Sequence, residues 1–347
     1  MQLHRKHWLR QLKTLQPLLS HSEHGQLFIT PEHVRFSFVG GEITIRHAGW
    51  DGSLTGMTNY RALFGVLNKA PEALLELNPS EGDKLNLVAE GSVYTIPFFP
   101  RGDDTDYSAI ANDKTFTVMD VSYSAGAVLA ATTQDAFTCY LVKEKRTAKL
   151  KLIDGSTYSE SLLPGEVSPA PFSFQLGEHI IKFLANAHIL ELVCTPVNGR
   201  LILEGEADGF PFTLHLTNSA HEEPLWDEII PDSLPENWCP MSTALGKLPR
   251  VIELITATSQ NGKTCPIRMS YQPGLLGLES LAETEISIEL ADIHAGGLDE
   301  IEPFEVRFDA LRIKNILTYA EEWQVLDGRY LLFKDGMYSL YCVGTIS

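Results

Sequence analysis

Long apolar runs are missing from this chain. No stretch approaches the ~18 consecutive residues needed to span a bilayer, and the basic N-terminal residues are not followed by the apolar segment of a secretory signal. Cysteine is scarce. The five thiols (Cys139, Cys194, Cys239, Cys265 and Cys342) are scattered without a Cys-x-x-Cys pair, which gives no zinc-site spacing and suits free thiols in a reducing cytoplasm. Gly-x-Gly-x-x-Gly, His-Glu-x-x-His and Gly-x-Ser-x-Gly signatures are absent, so no catalytic motif points to a familiar enzyme chemistry. The eleven histidines lack metal-ligand spacing, and neither a metal nor a cofactor is expected. Cations are also few: 27 Lys and Arg stand against 45 Asp and Glu, a formal net charge of −18. Taken alone, that sum disfavours a polyanionic partner.

What is present is a chain of 347 residues, 44% hydrophobic and 21% charged, enough for two or three folded domains. Its charge is segregated. Residues 1–22 hold Arg5, Lys6, Arg10 and Lys13 and no acid, whereas residues 201–246 and 277–305 each hold nine acids and no Lys or Arg. Such a chain can present a basic face on an acidic body.

One pattern recurs three times. A strand near 54–57, a helix over 59–69 and strands at 74–77, 84–88 and 93–96 form the first copy. The second runs strand 172–176, helix 177–187 and strands 190–193, 200–203 and 210–216. The third runs strand 304–308, helix 309–320 and strands 323–326, 330–333 and 338–343. Period-2 alternation marks the strands, and Asn198-Gly199 and Asp327-Gly328 fit tight hairpins. Each copy follows a related half, whose helices are expected over 3–19, 121–133 and 249–259. Six helix-plus-strand units thus pair into three domains, 1–112, 113–222 and 223–347. The fold class is α+β, each domain having two helices backed by antiparallel sheets.

The first helix carries the clearest signal. At 100° per residue, Trp8, Leu12, Leu15 and Leu19 share one side, while Lys6, Arg10 and Lys13 form a stripe opposite, with no intervening acid. Solvated helix faces ordinarily mix signs for i,i+4 pairing. Weaker cations recur on the other helices: Arg61 and Lys69, Lys182, Arg250, and Arg312.

The arrangement resembles the bacterial DNA polymerase III β subunits, the sliding clamps. The stretch 60–71 followed by Leu75-Glu-Leu77 and Leu85-Asn-Leu87 is similar to the second half of a clamp's first domain. Asp154-Gly155 sits where clamps carry a turn of the second domain, and Ile229-Ile-Pro231 resembles the joint opening the third. The resemblance implies a head-to-tail homodimeric ring around double-stranded DNA. Lys6, Arg10, Lys13, Arg61, Lys69, Lys182, Arg250 and Arg312 would then face phosphates without reading sequence. It also implies a pocket for the short peptide motifs of DNA polymerase and clamp loader, lined by Gly155, Tyr158, Leu162, Pro231, Val343 and Ile346. Tyr94 and Ile96 would lie at the dimer seam. Two departures stand out: the turn reads Ile153-Asp-Gly-Ser-Thr-Tyr158, without the usual His-Arg, and the tail Val343-Gly-Thr-Ile-Ser347 lacks the Met-Pro-Met-type ending.

The function expected is therefore a non-catalytic processivity factor acting in the cytoplasm, with no membrane partner. Two alternatives remain open at this point: a clamp-fold scaffold that binds partners without closing a ring, and an unrelated α+β enzyme with a site outside known motifs.

Overall fold

The computed structural model describes the chain except residues 1, 21, 23, 47–53, 71–73, 81, 90, 101–113, 133–136, 145, 167–170, 198, 218–223, 227–229, 232, 237, 242–247, 258–264, 273–274, 282–286, 292–302, 337 and 346–347. The chain repeats one unit six times: a strand, a helix, then three strands.

The first unit is β1 (Gln2–His4), α1 (Arg5–Leu19), β2 (His24–Ile29), β3 (His33–Phe38) and β4 (Gly41–Arg46). The second is β5 (Leu54–Asn59), α2 (Tyr60–Lys69), β6 (Leu74–Ser80), β7 (Lys84–Ala89) and β8 (Ser92–Pro100). The third is β9 (Phe116–Met119), α3 (Val121–Leu129), β10 (Thr138–Glu144), β11 (Thr147–Asp154) and β12 (Thr157–Leu163). The fourth is β13 (Phe172–Leu176), α4 (Glu178–Asn186), β14 (Glu191–Val197), β15 (Arg200–Ala207) and β16 (Phe210–Thr217). The fifth is β17 (Cys239–Pro240), α5 (Leu248–Ala257), β18 (Pro266–Gln272), β19 (Leu275–Ser280) and β20 (Ser287–Ala291). The sixth is β21 (Phe304–Asp309), α6 (Ala310–Lys314), β22 (Glu322–Leu326), β23 (Tyr330–Asp335) and β24 (Ser339–Gly344). The repeat expected from the sequence is present, with two shortenings, the first being that α3 ends at Leu129 rather than running to residue 133. The sixth helix ends at Lys314 and continues past Asn315 as a single 3-10 turn, Ile316–Thr318, rather than running to residue 320.

By compactness the chain divides into two bodies. One gathers Met1–Tyr123, Lys143–Ala148 and Pro164–His221; the other gathers Ser124–Val142, Lys149–Leu163 and Glu222–Ser347. In the first body a twelve-stranded sheet runs β1-β6-β7-β8-β5-β2-β3-β4-β16-β15-β14-β9. In the second, strands run β10-β11-β12-β24-β23-β22-β17, and a separate four-stranded sheet runs β20-β19-β18-β21.

Twin units exchange their leading strands. β1 pairs with β6 while β5 pairs with β2, and β17 pairs with β22 while β21 pairs with β18. In the middle pair β9 pairs with β14 in the same way.

Helix α1 lies as its periodicity demands. Trp8, Leu12, Leu15 and Leu19 are buried, and the Trp8 ring packs against Phe36 of β3 at 6.1 Å. Helix α1 packs against both α2 and α4. In the second body, α5 and α6 bury Leu248, Ile252, Ile255 and Ile313 against β18, β19 and β21, with Trp323 and Phe333 beneath. All five cysteines are buried, and burial pushes the Cys342 thiol up to about 12 and those of Cys139 and Cys194 higher still.

In the second and sixth units the last residue of the leading strand caps the helix that follows. Asn59 Oδ1 accepts from Ala62 N at 2.8 Å, and Asp309 Oδ1 accepts from Leu311 N at 3.0 Å. Asp309 Oδ1 also accepts from the buried Cys265 N at 2.9 Å. Asn59→Ala should therefore cost about 1 kcal/mol. Asp309→Ala should cost roughly 1–3 kcal/mol more, because a buried amide then loses its acceptor. Urea unfolding midpoints of the two variants test that ranking.

Candidate nucleic-acid interface and docking surface

In the first body, the cations of α1, α2 and α4 belong to one helix layer. Lys6, Arg10 and Lys13 are exposed on α1, and Arg61 and Lys69 are exposed on α2. Lys182, half-buried on α4, pairs with Glu178 one turn earlier. Lys13 and Lys182 line the same groove between α1 and α4, together with Thr14, Gln16, Asn186 and Asp208.

Arg10 is less free than its stripe suggests. Its Nη2 donates to the Asp208 carbonyl at 2.6 Å. The Asp208 carboxylate in turn accepts from Thr14 Oγ1 at 2.5 Å and contacts His188 Nδ1 at 2.7 Å. Both His188 and Asp208 hold positive φ, 49° and 48°, the left-handed conformation that tight turns require. Burial opposes the charge on Asp208. The hydrogen bonds from Thr14 and His188, with the charges of His188 and Arg10, outweigh it and hold the carboxyl below its ordinary value of 3.8.

In the second body Arg250 is exposed on α5, but Arg312 is not a surface cation. Its Nη1 donates to the Asp154 carbonyl at 2.6 Å and to Thr157 Oγ1 at 2.9 Å, and it stands 3.6 Å from the buried Asp154 carboxylate. A buried carboxylate needs a counter-charge, and Arg312 supplies it. The expectation that Arg312 faces phosphate is corrected on that ground.

The turn it braces holds Gly155, exposed at φ +58°. Tyr158 follows on β12 and is buried beside Cys342 of β24 in an aromatic cluster with Tyr140, Trp226 and Leu332. Trp226 meets Tyr140 edge-on at 5.6 Å and Tyr158 at 5.8 Å, and Lys151 Nζ sits 5.2 Å over the Trp226 ring. Val343 cannot line the same surface. Successive residues of a strand point to opposite faces, so Val343 turns away from Tyr158 into the core with Ile252 and Phe308. Leu162 and Pro231 are half-buried, and Ile346 lies outside the described residues. Trp226 was the residue that sequence reasoning missed; Trp next to the aliphatic joint at 229–231 was the available signal.

The seam expectation divides similarly. Tyr94 is half-exposed on β8, but Ile96 is 2% exposed and belongs to the core of the first body, while Val93 is 59% exposed. Among the described residues no group of His, Cys, Asp or Glu could hold a metal ion, and no helix is long and apolar enough to cross a membrane.

No family model and no curated protein matches the sequence. Solved structures do match. The DNA polymerase III subunit beta of Pseudomonas aeruginosa superposes with a TM-score of 0.74 at 14% identity, over 100% of this chain and 99% of that one. The Helicobacter pylori beta clamp bound to a DNA ligase peptide gives 0.73 at 13% identity, with 100% and 99% covered. The beta subunit of Streptococcus pyogenes gives 0.74 at 11%, with 99% of each chain covered. The fold is that of the bacterial β sliding clamps.

The Asp208 contacts join α1 to the β15–β16 turn, so they bear on stability within the first body of the clamp fold. A carboxyl whose folded value is depressed contributes stability above its unfolded value, and that contribution is lost as pH falls through the folded value. Asp208→Asn should therefore lower the melting temperature at neutral pH. The gap should persist above pH 3.8 and close as pH drops through the lower folded value. Melting curves of both proteins across that range check it.

Proposed function

We propose that this chain is a DNA sliding clamp, a replication processivity factor that encircles duplex DNA and tethers a polymerase or other partners without catalysing a reaction. The observation that carries this reading is the coincidence of the fold with bacterial clamps from end to end. The acid-free cationic face of α1 supports it, because phosphate contacts of this kind hold no sequence information and permit sliding. Lys6 and Lys13 are the main contacts, with Arg61, Lys69, Lys182 and Arg250 as helpers. Arg10 has a divided role, since its guanidinium also ties α1 to Asp208. The working compartment would be the cytoplasm.

In this reading the six units form three clamp domains, 1–112, 113–222 and 223–347. The registers support a ring. The last strand of a first unit pairs with the last strand of the next domain's second unit, β4 with β16 and β12 with β24. The same rule leaves β20 and β8 as the remaining pair, and β20 stands at a sheet edge. We infer that a second copy offers the stretch 92–97 of β8, which pairs on one side only with β7, to β20, a heterologous contact that closes after two copies. Val93 and Tyr94 would lie at that seam. A peptide partner, of the kind seen on the Helicobacter pylori clamp, would dock beside Gly155, Leu162 and Pro231, over the cluster holding Tyr158 and Trp226.

Two measurements test these statements. Val93→Asp places a carboxylate on the exposed edge and should convert dimer to monomer in sedimentation velocity. An unchanged dimer would move the seam elsewhere, and a wild-type monomer would favour a clamp-fold scaffold without ring closure. Ile96→Asp is the wrong probe, because a buried unpaired carboxylate costs several kcal/mol of folding stability. The second measurement is retention of the loaded protein on nicked circular DNA before and after linearisation. A clamp stays on the circle and runs off the linear form, and Lys6→Glu with Lys13→Glu should reduce retention on the circle while leaving the melting temperature within a few degrees. Equal retention on both forms would remove encirclement as the function.

A further inference from the structure

The two junctions between repeats occupy the same place in the repeat and are built from opposite chemistry. One hydrogen bond fixes the equivalence: Thr217 N donates to Gly40 O at 3.0 Å beside β4–β16, and Gly344 N donates to Ser156 O at 2.9 Å beside β12–β24. Counting along the registers from that bond, Glu42 stands where Tyr158 stands, His215 where Cys342 stands, Ile202 where Leu332 stands, and Arg200 where Tyr330 stands. The apolar junction is covered by a connecting segment of the chain, with Trp226 and Ile230 packed on it. Its ionisable counterpart is an open bowl of about 450 Å³.

Val197 and Ile202 line the bowl, with Arg200, His215, Glu42 and Thr217 around them. The strands meet closely there because residue 41 is glycine: a Cβ would lie 2.2 Å from the His215 carbonyl oxygen. Arg35, 3.9 Å from Glu42, adds a second guanidinium to that of Arg200. Burial lowers the His215 pKa, and the charges of Arg35 and Arg200 lower it further.

We propose that this bowl docks an extended acidic partner segment, its carboxylate held by Arg200 and His215 and an aliphatic side chain resting on Val197 and Ile202. The counterpart junction argues for a chain-like occupant, since a polypeptide segment covers it. Arg200 on the lining, with Glu42 already paired to Arg35, leaves one guanidinium unbalanced and argues for an acidic one. The proposal extends the tethering function with a second attachment point, and its test does not depend on ring closure.

The experiment is fluorescence anisotropy on the full-length protein at low salt. The probe is a fluorescein-labelled octapeptide of alternating leucine and aspartate, and the control peptide carries asparagine for aspartate. Arg200→Glu is compared with Arg146→Glu, which reverses an exposed charge on the β10–β11 turn. The aspartate peptide should bind roughly tenfold more tightly than the asparagine peptide, and Arg200→Glu should weaken it by about tenfold, with Arg146→Glu close to wild type. Equal weakening by both variants would mean general charge attraction only, and would overturn the site. So would equal binding of the two peptides, or no saturable binding. Loss of DNA retention on circles, by contrast, would sink the clamp reading and leave this result standing.

Discussion

Every strand in this protein carries backbone groups that must find partners, and no unit of the repeat can satisfy its own. A strand-helix-three-strand unit leaves an edge of its leading strand and of its meander open, and only β5 finds a short partner, β8, within its own unit among the described residues. The fold answers with exchange. Twins trade leading strands, as β1 and β5 do with β6 and β2, and neighbouring pairs join through their final strands, as β4 does with β16. Helices then bury the apolar face of each meander, which is why α1 needs Trp8, Leu12, Leu15 and Leu19 on one side. The polar face left over is the one on which Lys6 and Lys13 stand. Cohesion between repeats and exposure of one basic helix face thus come from the same pairing rule.

Much of this was legible in the sequence where a signal is local. Alternation exposes strands such as β15 and β23, and the helical period exposes both sides of α1. The leading strands β1, β9 and β17 were not legible. They run two to four residues, too short for a period, and owe their conformation to distant partners. Strand β12 was missed for a different reason. It buries Ser159 and Ser161, which look like loop residues but are satisfied by the Val128 carbonyl and by Ser339.

Site residues follow the same division. Lys6 and Lys13 keep the exposure that their spacing implies, because nothing remote claims them in the described contacts. Arg10 and Arg312 are claimed, by Asp208 and Asp154, 198 and 158 residues away in the chain. No local pattern reports a partner at that separation. Val343 illustrates a parity error of another kind. Whether it shares a face with Tyr158 depends on the β12–β24 register, and there its neighbour Cys342 takes the place opposite Tyr158.

The scarcity of cysteine noted in the sequence acquires a practical meaning once all five thiols are seen to be buried, with burial opposing the ionisation of Cys139, Cys194 and Cys342. Maleimide chemistry needs an accessible thiolate, and the native chain offers none. A single cysteine introduced on β8 or near α5 would therefore be the sole reactive group without removing any native residue. Paired dyes placed this way could follow, in real time and molecule by molecule, the breathing of whatever assembly the chain forms.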